Sequence, residues 1–162
     1  MSPAAWKSAL AAGLALSADL LTKSWASTAL PPHRSVPVAG EFFRLTLGAN
    51  PGIAFGLLGG GGAGVLVLTG AVILVLSVWV VRSLRAGTLP EPGAWAACAV
   101  LGSAVANFAD RLANGAVTDF LDVGIGSARW PTFNLADTAI VLGAVALALT
   151  SSHPSRPEDD HG

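Results

Sequence analysis

Not one charged side chain or histidine stands between Arg44 and Arg82. Within that interval Gly64 to Val81 is almost continuously apolar, close to the ~20 residues that carry a helix across bilayer hydrocarbon. A water-soluble domain can hide such a segment only in its core, behind a polar shell. This chain does not supply the shell: it is 52% hydrophobic and 12% charged, about half the ~25% charge of an ordinary soluble domain. Three more apolar stretches follow the same logic. The sequence therefore predicts an all-α integral membrane protein, one domain over 1–162, with transmembrane helices at about 6–23, 57–81, 93–110 and 134–151. Pro90, Pro92, Pro131 and Pro154 stand just outside the ends of these segments, where helix breakers belong.

Between the first two segments lies the only sizeable outer stretch. Phe43, Leu45 and Leu47 alternate there with Arg44 and Thr46, the period-two pattern of a half-exposed strand. A small β-containing extracytoplasmic element is expected at about 36–50, with an irregular loop as the alternative. The first segment has a rival reading, because Lys7, an apolar run and Ala15-Leu16-Ser17-Ala18 resemble a cleavable signal peptide. Asp19 and Lys23 argue for a retained helix. Four residues apart in acid-first order, they pair on one helix face. Four spans place both termini on one side of the membrane. The count of basic residues on the two sides does not choose an orientation.

Several chemistries are excluded by what the chain lacks. A net charge of −1 gives no reason to expect nucleic acid. The single cysteine, Cys98, cannot form an intramolecular disulfide or a thiolate cluster, and its apolar surroundings predict a small buried residue. There is no H-E-x-x-H, and His33, His153 and His161 are scattered, so no metal is expected; no cofactor is called for either. No G-x-S-x-G elbow occurs. Lys23 and Ser27 lie one helical turn apart, but a general-base lysine must be neutral, and Asp19 would hold Lys23 charged. Carboxylate chemistry remains.

The carboxylates gather between Ala104 and Thr138: Asp110, Asp119, Asp122 and Asp137 stand beside or inside apolar segments. An ionisable group at membrane depth is costly and faces a partner or a polar cavity. Each acid has a bland reading as well. Asn134 and Asp137, three apart at a helix start, make an N-cap and an N3 acid. Asp110 and Arg111 could be an interfacial ion pair, Asp119 and Asp122 ordinary loop acids, and Asn107, Asp110 and Arg111 a hydrogen-bonded helix face. Their clustering at the same ends of the spans favours a site over separate accidents. Two carboxylates facing one cavity can share a proton and activate water. The same acids in a proton-coupled carrier would relay protons, and a non-catalytic assembly factor is a third class; a carrier would need polar groups on both sides of the midplane.

Read in order, the motifs resemble one family. Asp19-Leu20-Leu21-Thr22-Lys23, Asn50-Pro51-Gly52-Ile53-Ala54-Phe55, Asn107-Phe108-Ala109-Asp110-Arg111, Val117-Thr118-Asp119-Phe120 and Phe133-Asn134-Leu135-Ala136-Asp137 are similar in order and spacing to bacterial lipoprotein signal peptidase (signal peptidase II), a four-helix membrane aspartic protease. The resemblance implies that Asp119 and Asp137 are the catalytic pair. It implies that Asp19, Lys23, Asn50, Gly52, Asn107, Arg111 and Asn134 are substrate-binding or supporting residues. It further implies a multi-pass protein of the bacterial cytoplasmic membrane, termini inside, site toward the extracytoplasmic side. Its partners would be membrane lipid and lipid-modified prolipoproteins cut just before the diacylglyceryl cysteine, and the protein itself would be a monomer. Gly102-Ser103 and Ala106 stand where the family usually has glycines, a change of small for small. Phe42, Phe43 and Phe55 are expected to close over a bound peptide.

Overall fold

The structure, a computed structural model, describes residues 3–52 and 62–151. Four helices, α1 (Pro3–Ala29), α2 (Ala63–Ala86), α3 (Glu91–Asn114) and α4 (Leu135–Ser151), alternate with four strands, β1 (Val36–Ala39), β2 (Phe43–Asn50), β3 (Val117–Ile125) and β4 (Ala128–Arg129). α1 continues six residues past the expected end at 23 and runs unbroken through Ala18, because Asp19 and Lys23 are paired inside the bundle instead of ending the helix at water. The expected start of the second helix at 57, and Phe55, lie outside the described residues.

Local chemistry sets the ends of α3. Pro90 takes the N-cap position, a further proline occupies the first turn, and Glu91 lies there too, a combination that suits a helix start and its dipole. At the other end Arg111 sits in the last turn and Gly115 adopts φ 74°, donating its N–H to the Arg111 carbonyl at 2.9 Å. A left-handed cap of this kind favours glycine, and the chain leaves it directly into β3.

α3 is the centre of the bundle, packing on α1, α2 and α4. Ala96, Ser103, Ala106, Asn107 and Asp110 fall on its buried side, spaced at the three, four and seven residues of one helix face. A Cβ on Gly102 would run into the backbone carbonyl of Ala12 on α1, so a side chain there would push the two helices apart. The small residues at 102, 103 and 106 thus serve the close approach of α1 to α3. Val80, Ala97 and Cys98 form one buried apolar cluster, with Ala12, Leu76, Leu89, Leu101 and Leu147 around it. α2 is different: Val67, Val72, Leu74 and Val75 all point outward and are exposed. By length and composition α2 and α3 are each able to cross a membrane.

The strands form one antiparallel order, β1-β2-β3-β4. The expected four helices and the expected β-element at 36–50, here β1 and β2, are present; the sheet is larger than expected, because its other half, β3 and β4, comes from beyond α3. β2 pairs with β3 in a register that sets Arg44 opposite Asp122 and Gly48 opposite Asp119, with a shift between Leu45 and Gly48. Phe120, almost fully buried, anchors the sheet to the bundle by packing with Ala26 of α1 and with Leu30 just beyond its end. Its ring meets Trp25 edge-on at 6.3 Å and 80°, a favourable aromatic geometry. After β4 the chain returns to β3, where Leu121 and Phe133 bridge and exchange backbone hydrogen bonds of 2.8 and 3.0 Å. Asn134 is the next residue, so α4 must begin beside the strand that carries Asp119.

Candidate active site

α4 opens with a reciprocal cap. The Asp137 N–H donates to Asn134 Oδ1 at 2.9 Å, and the Asn134 N–H donates to Asp137 Oδ2 at 3.3 Å. Such exchange satisfies two backbone donors that a helix start leaves free. It also fixes the Asp137 side chain, which accepts a second bond from Asn107 Nδ2 at 2.9 Å. Capping and site membership therefore describe the same residues: Asn134 turns its amide nitrogen away from the helix, onto Asp119 Oδ1 at 2.7 Å. One asparagine side chain thus touches both acids, through Oδ1 to the Asp137 backbone and through Nδ2 to the Asp119 carboxyl.

Asp119 stands on β3, two residues from Val117 and two from Leu121, and is almost fully buried. It is a strand residue, not the loop acid of the sequence reading. Burial pushes its carboxyl up to about 6, and the neighbouring Asp137 charge adds to the rise; hydrogen bonds from Asn134 and Asn50 and the Lys23 charge oppose it. An acid in this state exchanges protons near neutral pH, which suits general acid–base work.

Beneath the two acids lies a buried polar layer. Lys23 Nζ is 2.6 Å from Asp19 Oδ2, 2.6 Å from Asn107 Oδ1 and 3.5 Å from Asp110 Oδ2. Asp19 Oδ1 accepts the Ala136 N–H at 2.8 Å, and Asp110 Oδ2 accepts the Thr118 N–H at 2.7 Å. An ammonium donates only, so Lys23 fixes the Asn107 amide with Oδ1 toward itself and Nδ2 toward Asp137. Asn134 Nδ2 then also reaches Asn107 Oδ1, at 3.3 Å. Beside the layer, Arg111 donates to the Gly52 carbonyl at 2.6 Å and to the Asn107 carbonyl at 3.4 Å. Gly52 in turn donates its N–H to Asn50 Oδ1 at 3.1 Å, so Arg111 and Asn50 hold the Asn50-Pro51-Gly52 turn against the site.

All nine residues singled out from sequence, Asp19, Lys23, Asn50, Gly52, Asn107, Arg111, Asp119, Asn134 and Asp137, meet in this one network. Asp110 and Thr118 belong to it as well. The i, i+3 spacing of Asn107 and Asp110 hinted at a shared face, but Asp110 pairs with Lys23 on α1, a contact that spacing within one helix cannot reveal. Asp122 faces elsewhere. It is clamped by Arg44 and Arg129, at 3.0 and 2.7 Å, and accepts from Thr46 at 2.8 Å. Burial alone would raise its carboxyl, but these donors outweigh burial and hold it below the usual range, so its role is to join β2, β3 and β4. Phe42 is exposed in the turn before β2 and Phe43 is half-buried at the start of β2. Among the described residues no group of histidines, cysteines and acids is arranged to hold a metal ion.

Comparison with known proteins covers most of the chain. Residues 11–153 match the family described as Signal peptidase (SPase) II. A lipoprotein signal peptidase from Psychromonas ingrahamii is 37% identical over 143 residues, 86% of this chain and 81% of the relative. One from Moorella thermoacetica is 42% identical over 139 residues, 85% of this chain and 87% of the relative. In three dimensions the chain is similar to a solved bacterial membrane enzyme, with a TM-score of 0.77 at 24% identity, over 91% of this chain and 94% of that one.

Proposed function

The chain belongs to the signal peptidase II family, bacterial membrane peptidases that remove signal peptides from prolipoproteins, and on that premise we propose that it hydrolyses the peptide bond with Asp119 and Asp137 as an aspartic pair. The observation that carries this is the double contact of Asn134, which brings the buried Asp119 and the half-buried Asp137, from different elements, to one point. Asp137, at the start of α4 with two N–H donors on its carboxylate, is the proposed base. Asp119, almost fully buried and with its carboxyl pushed up to about 6, is the proposed proton holder. Asp137 takes a proton from water as the water oxygen bonds to the scissile carbonyl carbon, and Asp119 gives its proton to the carbonyl oxygen. Collapse of the resulting diol breaks the C–N bond; the amine leaves with the proton held by Asp137, and Asp119 recovers its own. Arg111, Asn50 and Gly52 are proposed to line the peptide's path, and the cut is proposed to fall just before the lipidated cysteine.

The proposed membrane placement is four spans, in one domain over 1–162, with the site toward the extracytoplasmic side of the cytoplasmic membrane and the protein acting as a monomer. The tryptophans support the spans. Trp6, Trp79 and Trp95 stand at one end of the bundle, where Lys7 also pairs with Glu91 and lies over Trp95. Trp25 and Trp130 stand at the other, and all five rings are partly exposed. Trp6 and Trp25 are 19 residues apart on one helix, about 28 Å at ~1.5 Å per residue, which matches the ~30 Å of bilayer hydrocarbon. Two aromatic belts at that spacing suit a spanning bundle. Among the described residues the buried acids lie toward the Trp25 end, as an interfacial hydrolase requires and a through-membrane proton relay does not.

The direct test is incubation of the purified protein in detergent with a diacylglyceryl lipobox peptide: one cut before the lipidated cysteine is expected, and an intact peptide would refute the assignment. The pH dependence follows from the assignment of the proton. The reaction needs Asp119 protonated, so kcat/KM should fall as pH rises through the Asp119 value of about 6, since kcat/KM reports the free enzyme. In kcat the same limb should lie at higher pH, because bound peptide shields the acid further from water. A profile with no alkaline limb in either parameter would remove Asp119 from the role of acid.

A further inference from the structure

We infer that Lys23 is a positioning residue for the acid pair: its three ammonium contacts fix the backbone on which each acid stands. This rests on the aspartic reading above and adds to it the element that sets the geometry of the pair. The ammonium has three partners around it: it donates to Asn107 on α3 and lies in ion-pair contact with Asp19 on its own helix and Asp110 on α3. Each acceptor passes the constraint on. Asp19 binds the Ala136 N–H, one residue before Asp137, and Asp110 binds the Thr118 N–H, one residue before Asp119. Asn107 binds the Asp137 carboxylate itself. The strand bearing one acid and the helix bearing the other are thereby tied to a single nitrogen atom on α1. Lys23 is almost fully buried, so it acts without meeting the peptide.

The position matters because productive carboxylate geometry tolerates errors of only about 0.5 Å. β3 and α4 are joined by the turn at β4, the Leu121–Phe133 bridge and the Asn134 side chain, all close to the junction of the two elements. The tripod adds a tie from α1 and α3 to each of them. A planar guanidinium could not, since its fork does not match three acceptors arranged around a point.

The test separates positioning from simple charge balance. Lys23→Met alone leaves Asp19 and Asp110 as buried unpaired charges and will destabilise the fold. The triple variant Asp19→Asn/Lys23→Met/Asp110→Asn removes the ammonium and both charges together. It keeps an amide oxygen for the Ala136 and Thr118 N–H groups, so the tripod is lost together with one unit of net negative charge and the Asn114 bond to Asp110. With the lipidated lipobox peptide, the triple variant is expected to keep its Tm within a few degrees and its KM within about threefold, and to lose at least about 30-fold in kcat; a loss confined to kcat marks misplacement of reacting groups. Unchanged kcat would overturn the inference, as would a collapse in Tm, which would make the tripod a support of the fold and not of the pair. Asp119→Asn run alongside keeps the two readings apart: if that variant still turns over, the aspartic assignment fails, whatever Lys23 does.

Discussion

Asp119→Asn and Asp137→Asn are each expected to lower kcat by about 10³-fold or more, within or beyond the range that general acid–base groups supply singly, while the protein still inserts and folds. The exchange is nearly isosteric. At 119 an amide can still meet Asn134 Nδ2 through its oxygen, and at 137 its single oxygen can still accept from one of the two donors there, Asn107 Nδ2 or the Asn134 N–H. What is lost is the ability to take up and release a proton. The two losses should not add in the double variant, because the acids act as one unit. Unimpaired turnover by either single variant would end the assignment. Asp122→Asn is the contrasting case. Asp122 clamps the sheet through Arg44 and Arg129, so its loss should appear in Tm much more than in kcat. The Asp122 carboxyl is held below its unfolded value, so its contribution is present above pH ~4 and is lost as pH falls through the lowered folded value.

Removal of the diacylglyceryl group from the lipobox peptide is expected to lower kcat/KM by about 10²-fold or more. Each methylene of an acyl chain withdrawn from water contributes ~0.8 kcal/mol. Burial of about four against the protein is therefore enough for that factor, at ~1.4 kcal/mol per tenfold. The small-residue face of α3 around Gly102 is filled by α1 and offers the chains no room. The exposed apolar sides of α1, α2 and α4, with Leu14, Val72, Val75, Val141 and Val145 outward, are open to them. Equal kcat/KM for peptides with and without lipid would remove lipid recognition and leave the peptidase assignment in place.

The sequence by itself determined the membrane class, the order of four helices and the residue types of the site. These are matters of local composition and short spacing: an uncharged run long enough to span, helix ends marked by Pro90 and Gly115, and Asn134 and Asp137 three apart at a helix start. A cap is written in adjacent residues, so the reciprocal bonds of Asn134 and Asp137 are local events. Tertiary structure decided where Asp119 sits. Its strand shows no clean alternation, because Val117, Asp119 and Leu121 share one face while Thr118, Phe120 and Asp122 share the other, an acid on each. Only pairing with β2, from far upstream in the chain, makes it a strand. The same holds for Asp122, whose charge is matched by Arg44 across that pairing, and for Lys23, whose partners beyond Asp19 lie on another helix. Side-chain periodicity reports which way a residue faces within its own element; what it meets there is fixed by the packing of elements distant in sequence, and the buried charge of Lys23 is tolerated only because that packing brings Asp19, Asn107 and Asp110 to one atom.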